Sequence, residues 1–311
     1  MATNFMKDTF VASLSHLANV RVLGAEAETF LQGQLSNDVR LLTTERAQIS
    51  SYNSPKGRML AVLHLLRDAQ SIVAEIDRSV FEATLKRLRM FVLRSKVTFE
   101  VISDTPALGI AGLRAVELLQ SVALPAPNQP MDSAQHGELT VLRRLGELPR
   151  FSVHGPAAAL ADLQQRLTLD AEAGTEQDWR RLDIQAGVPT VFAETSDHFV
   201  AQMANLDTLG GISFNKGCYT GQEIVARLHY LGQLKRRMFR VRSAATDIVP
   251  GTSVYVEGET QAAGEVVQSV NADGGSLLNI VLQLTQAEST QLRLGSGDGP
   301  HLSAPEPLIT S

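Results

Sequence analysis

The sequence predicts an α+β protein of repeated short strand-and-helix units that ends in a β-rich segment. Three observations carry this. Residues 19–23, 48–52, 59–66 and 71–76 have the length and apolar content of strands, while 80–92 and 157–167 place apolar side chains at helical spacing. No glycine fingerprint links a strand to a helix, because the run Gly295, Gly297, Gly299 ends against Pro300 and reads as a loop. Beyond residue 236 only strand-like runs separated by glycine turns remain. At 311 residues and 44% hydrophobic side chains, the chain exceeds the usual size of one domain, so two or three are expected.

In order, 19–23 reads as a strand and 25–35 as a helix carrying Ala27, Phe30, Leu31 and Leu35 on one side. Strands at 48–52 and 59–66 are joined by a hairpin over 53–58, punctuated by Pro55 and Gly57, with Lys56 and Arg58 at its tip. For those charges, plain solvation is the simplest account. A strand at 71–76, a helix at 80–92 and a strand at 96–102 follow. A second round runs through a strand at 108–112, a helix at 114–122, an exposed loop over 123–136, and a hairpin pair at 138–144 and 150–154. A helix spans 157–167, and another spans 176–186, closed by Gly187 at its C′ position with Pro189 just beyond. Trp179, the single tryptophan, lies on the stripe of that second helix. On its spacing it suits core packing, with a flat wall for a heterocycle as the alternative. The runs 238–242, 253–256, 263–270 and 276–283 suggest a small terminal barrel, with the last dozen residues loose.

The densest chemistry lies at 210–227, around the lone Cys218. Residues 212–214 read as extended, and Ile224, Val225 and Leu228 form a helical stripe, so 215–220 is the intervening turn. Thr220 and Glu223 have the spacing of a capping box, which starts a helix at Gly221. Free N–H groups of that helix and Lys216, two residues from the sulfur, would both favour a thiolate. Cys218 is then a candidate nucleophile, reductant or metal ligand; the bland alternative is a small buried hydrophobe. Glu223 and Arg227 stand four apart in the order that pairs them across a turn. Gly217 and Gly221 permit positive φ or close approach of a flat ligand. Residues 227–237 are the most basic part of the chain, suited to an anion, to RNA phosphate or to solvent.

The run Lys216-Gly217-Cys218-Tyr219-x-Gly221-Gln222-Glu223, preceded by Gly210-Gly211-Ile212-Ser213-Phe214, resembles the signature of the YgfZ-type folate-binding proteins. These form a branch of the superfamily of the glycine-cleavage aminomethyltransferase. Further pieces agree in family order over roughly residues 15–270: the run from Leu31 to Asp38, Pro55-Lys56-Gly57-Arg58, Ala186-Gly187-Val188-Pro189, and Gln202-Met203-Ala204-Asn205-Leu206. The resemblance implies a ring of ferredoxin-like, open-sandwich α+β domains around a central channel, with a small C-terminal β-barrel. It implies a folate-binding region over 1–235, made of two interleaved α+β subdomains, and a barrel domain with a loose tail over 236–311. It also implies tetrahydrofolate or a derivative as cofactor and, transiently, an iron–sulfur cluster for which Cys218 supplies a shared ligand. Cys218 and Lys216 would be the reactive pair. Trp179, Gln202, Asn205, Tyr219, Gln222, Glu223 and Arg227 would be the folate contacts, with Glu194 and Asp197 as further acceptors for pterin nitrogens or simply as helix caps. Two positions depart from the family: a second folate-contact tryptophan falls at Leu17, and a common proline falls at Ala201.

Composition narrows the functions. A net charge of −5 argues against non-specific coating of nucleic acid. One cysteine makes no internal disulfide and cannot surround a four-iron cluster. The seven histidines show no zinc-ligand spacing, and no Gly-x-Ser-x-Gly elbow is present. Neither a leader nor an apolar run of about 18 residues occurs, so a cytoplasmic protein without a membrane span is expected. Three functions fit: a folate-binding accessory protein for iron–sulfur cluster assembly, transfer or repair, which supports tRNA modification; a tetrahydrofolate-dependent aminomethyl transferase; and a non-catalytic tRNA adaptor acting through Arg227 to Arg237. The first also requires cluster assembly or client proteins as partners.

Overall fold

A computed structural model describes residues 8–308 other than 69 and 103–106. The chain runs β1 (Thr9–Ser13), β2 (Leu17–Leu23), α1 (Ala27–Gln32), β3 (Gln48–Asn53), β4 (Met59–Arg67), β5 (Ile72–Asp77), α2 (Arg78–Val92) and β6 (Thr98–Ile102). It continues through β7 (Leu108–Gly112), α3 (Ala115–Ser121), β8 (Ser133–His136), β9 (Leu139–Arg143), β10 (Arg150–His154), α4 (Ala157–Leu167), β11 (Glu172–Ala173) and α5 (Glu176–Gln185). After a stretch of 3-10 turns come α6 (Gln222–Tyr230), β12 (Arg236–Ser243), β13 (Ser253–Val256), β14 (Ala262–Ala272), β15 (Gly275–Gln283), β16 (Leu292–Leu294) and β17 (Glu306–Pro307). The expected α+β class is borne out.

Three sheets organise these elements, in the orders β3-β4-β5-β2-β6, β11-β1-β7-β10-β9-β8 and β16-β13-β14-β15-β12-β17. The first strand belongs to the second sheet: β1 pairs antiparallel with β7 and parallel with β11. In the first sheet Val20, Val22, Leu63, Leu65, Ala74 and Ile76 share one face and form its core with Val80, Phe81, Leu85 and Leu88 of α2. The period of two that buries these residues turns Asn19, His64 and Glu75 to the opposite face.

Several expectations change on packing. The loop over 123–136 is in part a strand, β8, and it buries Leu124 and Met131. The tail is not loose through residue 308. Leu302 is fully buried, β17 pairs with β12, and single bridges join Ser243 to Leu302 and Arg293 to His301. Residues 309–311 lie outside the described residues. Among those described, no helix is long and apolar enough to cross a membrane.

Candidate functional site

Four sequence motifs, far apart in the chain, meet around the cysteine turn. The Ser36 hydroxyl donates to the Gly211 carbonyl at 2.6 Å, the Asn37 side chain donates to the Gly210 carbonyl at 2.7 Å, and the Ser213 N–H donates to the Ser36 carbonyl at 3.0 Å. The 53–58 hairpin lies against the start of α6, where Gly57 and Gly221 touch backbone to backbone. A Cβ on Gly57 would stand 2.7 Å from Ile224 Cβ, and one on Gly221 would stand 2.4 Å from the Ser54 carbonyl oxygen. Both glycines have positive φ, +71° and +79°, so each is required twice over, for conformation and for space. From a third direction, Gln202 Nε2 donates to the Val225 carbonyl of α6 at 2.7 Å.

Lys216 points away from solvent. Its ammonium donates to the carbonyls of Leu35 and Asn37, both at 2.7 Å, and lies 5.1 Å from the Tyr219 ring centroid. Burial lowers its pKa to about 8, against the pull of nearby Asp38, whose own carboxyl is held at about 2, chiefly by hydrogen bonds from Arg40. Lys216 thus ties the turn to the Leu35–Asn37 backbone. Its ammonium is engaged by backbone carbonyls, while the Cys218 side chain two residues on is exposed. Tyr219 is also buried, and burial raises its phenol to about 12. Between these inward-facing residues Cys218 is exposed, as are Asn215 and Gly217. The expectation of a buried sulfur falls, and an accessible thiol on a turn fixed from both sides remains.

Two local readings are corrected. Thr220 makes no capping box; α6 begins at Gln222 after Gly221, which caps without a side-chain bond. A capping box does open α5, between Thr175 and Asp178. No ion pair joins Glu223 to Arg227 among the described residues, and both side chains face solvent. Gln222 is half-buried on the first turn of α6.

The expected folate contacts fall into two groups: Gln202 is bonded to α6, which carries Gln222, Glu223 and Arg227, while Trp179 packs in a separate core cluster. Gln202 and Asn205 are buried and committed to backbone, the Asn205 Nδ2 donating to the Met238 carbonyl at 2.9 Å. Trp179 is 0% exposed, packed with Phe10, Leu14 and Leu182, and its indole lies directly on Gly109, where a Cβ would come within 2.6 Å. Leu17 packs against the same cluster, and Ala201 is fully buried. Glu194 is exposed; Asp197 sits at φ 67°. Arg237, within the basic stretch, is held by Asp207 at 2.6 Å and is structural.

The sequence reading passed over a buried polar cluster between the first two sheets. Arg144 Nη1 donates to Glu75 Oε1 at 2.7 Å, with both side chains sealed, at 3% and 0% exposure. His64 and His154 approach the same carboxylate at 3.6 and 3.7 Å. Burial drives the His64 pKa well down and that of His154 to about 4, so both rings are neutral near pH 7 and only the arginine balances Glu75. Ser152 Oγ lies 2.9 Å from His154 Nε2. Glu75 Oε2, His154 Nδ1 and Asn19 Oδ1 have no hydrogen-bond partner among the described residues. Asn19 and His154 line a cavity of about 380 Å³, with Arg21, Arg67 and Thr140 also on its wall. A larger cavity of about 520 Å³ is lined by Arg150, Arg240 and Arg242. Those arginines are satisfied by Asp183, Glu306 and Asp273. The one signal in sequence was polar residues at period two in apolar strands, a pattern that equally describes a solvated face. Among the described residues, no group of three or more His, Cys, Asp or Glu is placed to hold a metal ion.

No family model matches the chain. It is 29% identical over 294 residues to the tRNA-modifying protein YgfZ of Colwellia psychrerythraea, covering 94% of this chain and 90% of the relative. It superposes with a TM-score of 0.79 on the crystal structure of glycine cleavage system aminomethyltransferase T from Bartonella henselae, covering 97% of this chain and 87% of that one at 15% identity. The four converging motifs, the likeness to a YgfZ protein over nearly the whole chain and the aminomethyltransferase fold bear out the resemblance to the YgfZ-type proteins of the aminomethyltransferase superfamily.

Proposed function

We propose that the chain is a folate-binding accessory protein that supports iron–sulfur cluster assembly, transfer or repair, and through it the modification of tRNA. The observation that carries this reading is the exposed Cys218 on a turn that three other motifs hold in place. A turn so fixed presents its sulfur at low entropic cost to a partner. The cluster is cargo here: Cys218 offers one thiolate ligand, and the remaining ligands come from the donor or recipient protein, since one cysteine cannot enclose a cluster. The relative's printed name, a tRNA-modifying protein, supports the downstream role. The reading includes the ring of α+β units and the terminal barrel. The second is supported by residues 301–307, which bridge to β16 at one end of the third sheet and to β12 towards the other.

For folate, the smaller cavity fits better than the larger one. Asn19 and His154 stand on its wall, and its volume of about 380 Å³ lies within the usual range for ligand pockets. A bound pterin would meet the polar side chains of that wall, where Asp68 and Glu138 also stand; Arg21 is ion-paired with Asp68 and Glu100, and Arg67 with Glu28. Calorimetric titration with tetrahydrofolate should show binding that His154→Ala and Asn19→Ala weaken.

The thiol is tested by a Cys218→Ala protein in cells that lack the native copy. Cluster-dependent enzyme activity and thiolated tRNA should stay low, and full restoration of both would refute the role given to the sulfur.

A further inference from the structure

Phe214, His229 and Tyr230 form an aromatic corner at the end of α6. The Phe214 and His229 rings lie parallel, 3.7 Å apart and 11° from coplanar, and Tyr230 stands across them, 4.6 Å from His229 at 79°. The Tyr230 hydroxyl lies 3.4 Å from the Phe214 carbonyl oxygen, a long contact. Despite this order the corner faces water: Tyr230 is 62% exposed and Leu231 beside it 85%. A grouped, oriented, exposed aromatic surface marks a contact site more often than a scattered one does. Cations flank it in the sequence, with the acidic Glu223 two turns back on α6. Arg227 lies one turn before Tyr230, Lys235 and Arg236 follow, and none of the three is ion-paired among the described residues. Arg237, Arg240 and Arg242, further along, each have an acidic partner.

We propose that this corner is a stacking platform for an unpaired RNA base, with Arg227, Lys235 and Arg236 taking the flanking phosphates. The inference rests on the tRNA reading above and adds to it the form of RNA and the residues that hold it. A duplex hides base faces and would use only the cations; a small anion would leave the rings idle; an apolar protein partner would have to desolvate three unpaired cations. A single strand or loop uses both features at once, through ring stacking and phosphate contact.

The test is fluorescence anisotropy of the full chain with a labelled RNA of about ten nucleotides, single-stranded or annealed to its complement. The single strand should bind more tightly. Tyr230→Ala should weaken it about tenfold and Tyr230→Phe should not, since each stacked base contributes strongly and only the ring is needed. Arg227→Gln should weaken both forms and flatten the salt dependence by a slope of about 0.7 for the single strand. Equal binding by wild type and Tyr230→Ala, or equal affinity for duplex, would overturn the proposal. If thermal melting shows that Tyr230→Ala is unfolded, His229→Ala takes its place with the same expected loss. A wild-type chain that binds no RNA but restores tRNA thiolation sinks the platform alone. A Cys218→Ala chain that restores thiolation while the Tyr230 effect stands sinks only the thiol.

Discussion

Replacing Lys216 with Met should remove a pH dependence that the wild-type protein carries between pH 8 and 10.5. The lysine's ordinary pKa of 10.5 falls to about 8 in the fold because its ammonium is buried, at 6% exposure. At about 1.4 kcal/mol per pH unit, that difference corresponds to about 3 kcal/mol. Below pH 8 both folded and unfolded chains hold the proton, and the folded state bears the full penalty. Between 8 and 10.5 the unfolded chain binds more protons than the folded one, so stability rises with pH, and above 10.5 the penalty is gone. Methionine has no such titration. It also leaves the Leu35 and Asn37 carbonyls without their donor, a cost of about 1–3 kcal/mol for each that does not vary with pH. Urea unfolding of both proteins at pH 7 and pH 10.5 measures the double difference. Wild type should gain about 3 kcal/mol on the variant over that interval. A difference that stays flat would show that the ammonium is not desolvated where it ties the turn, and the account of Lys216 would fail.

Three further outcomes follow from the packing. Glu75→Ala leaves Arg144 buried without its partner, and urea unfolding should show a loss of about 3–5 kcal/mol; a loss below about 1 kcal/mol would mean that water already reaches the pair. Gly57→Ala should cost about 1–3 kcal/mol beyond Gly258→Ala, since both have positive φ but only Gly57 meets a neighbour, Ile224. Thermal melting of the two variants makes that comparison. The single tryptophan should emit in the blue and resist iodide quenching, because Trp179 has no exposed surface; red, quenchable emission would contradict its enclosure.

Local signals in the sequence were reliable where the decisive contacts are local. The helix Ala157–Leu167 follows its apolar spacing, the hairpin between β3 and β4 turns at Pro55 and Gly57, and Gly187 closes α5 at φ 66°. Signals failed where the neighbour comes from elsewhere in the chain. Thr220 and Glu223 have capping-box spacing, yet Gly221 turns left-handed to fit under the Ser54 carbonyl and the helix starts one residue later than expected. Lys216 is two residues from Cys218 in sequence, but two carbonyls some 180 positions earlier draw it inward. Asn19, His64 and Glu75 alternate like a wetted strand face, and nothing local says that β9 and β10 will cover it. The motifs themselves were legible, but their convergence on one turn was not, because nothing in the sequence alone says which distant backbone groups meet.

The place of β1 bears on how the protein is made. Its partners are Leu108–Gly112 and Glu172–Ala173, so on the ribosome the first strand emerges long before either mate exists. The sheet of β2 to β6 can close while Thr9–Ser13 waits unpaired, an exposed apolar edge of the kind that holdase chaperones bind. Cutting the gene near residue 107 would not yield two autonomous halves, because the downstream piece would lack the strand between β7 and β11 and the upstream piece would carry an orphan.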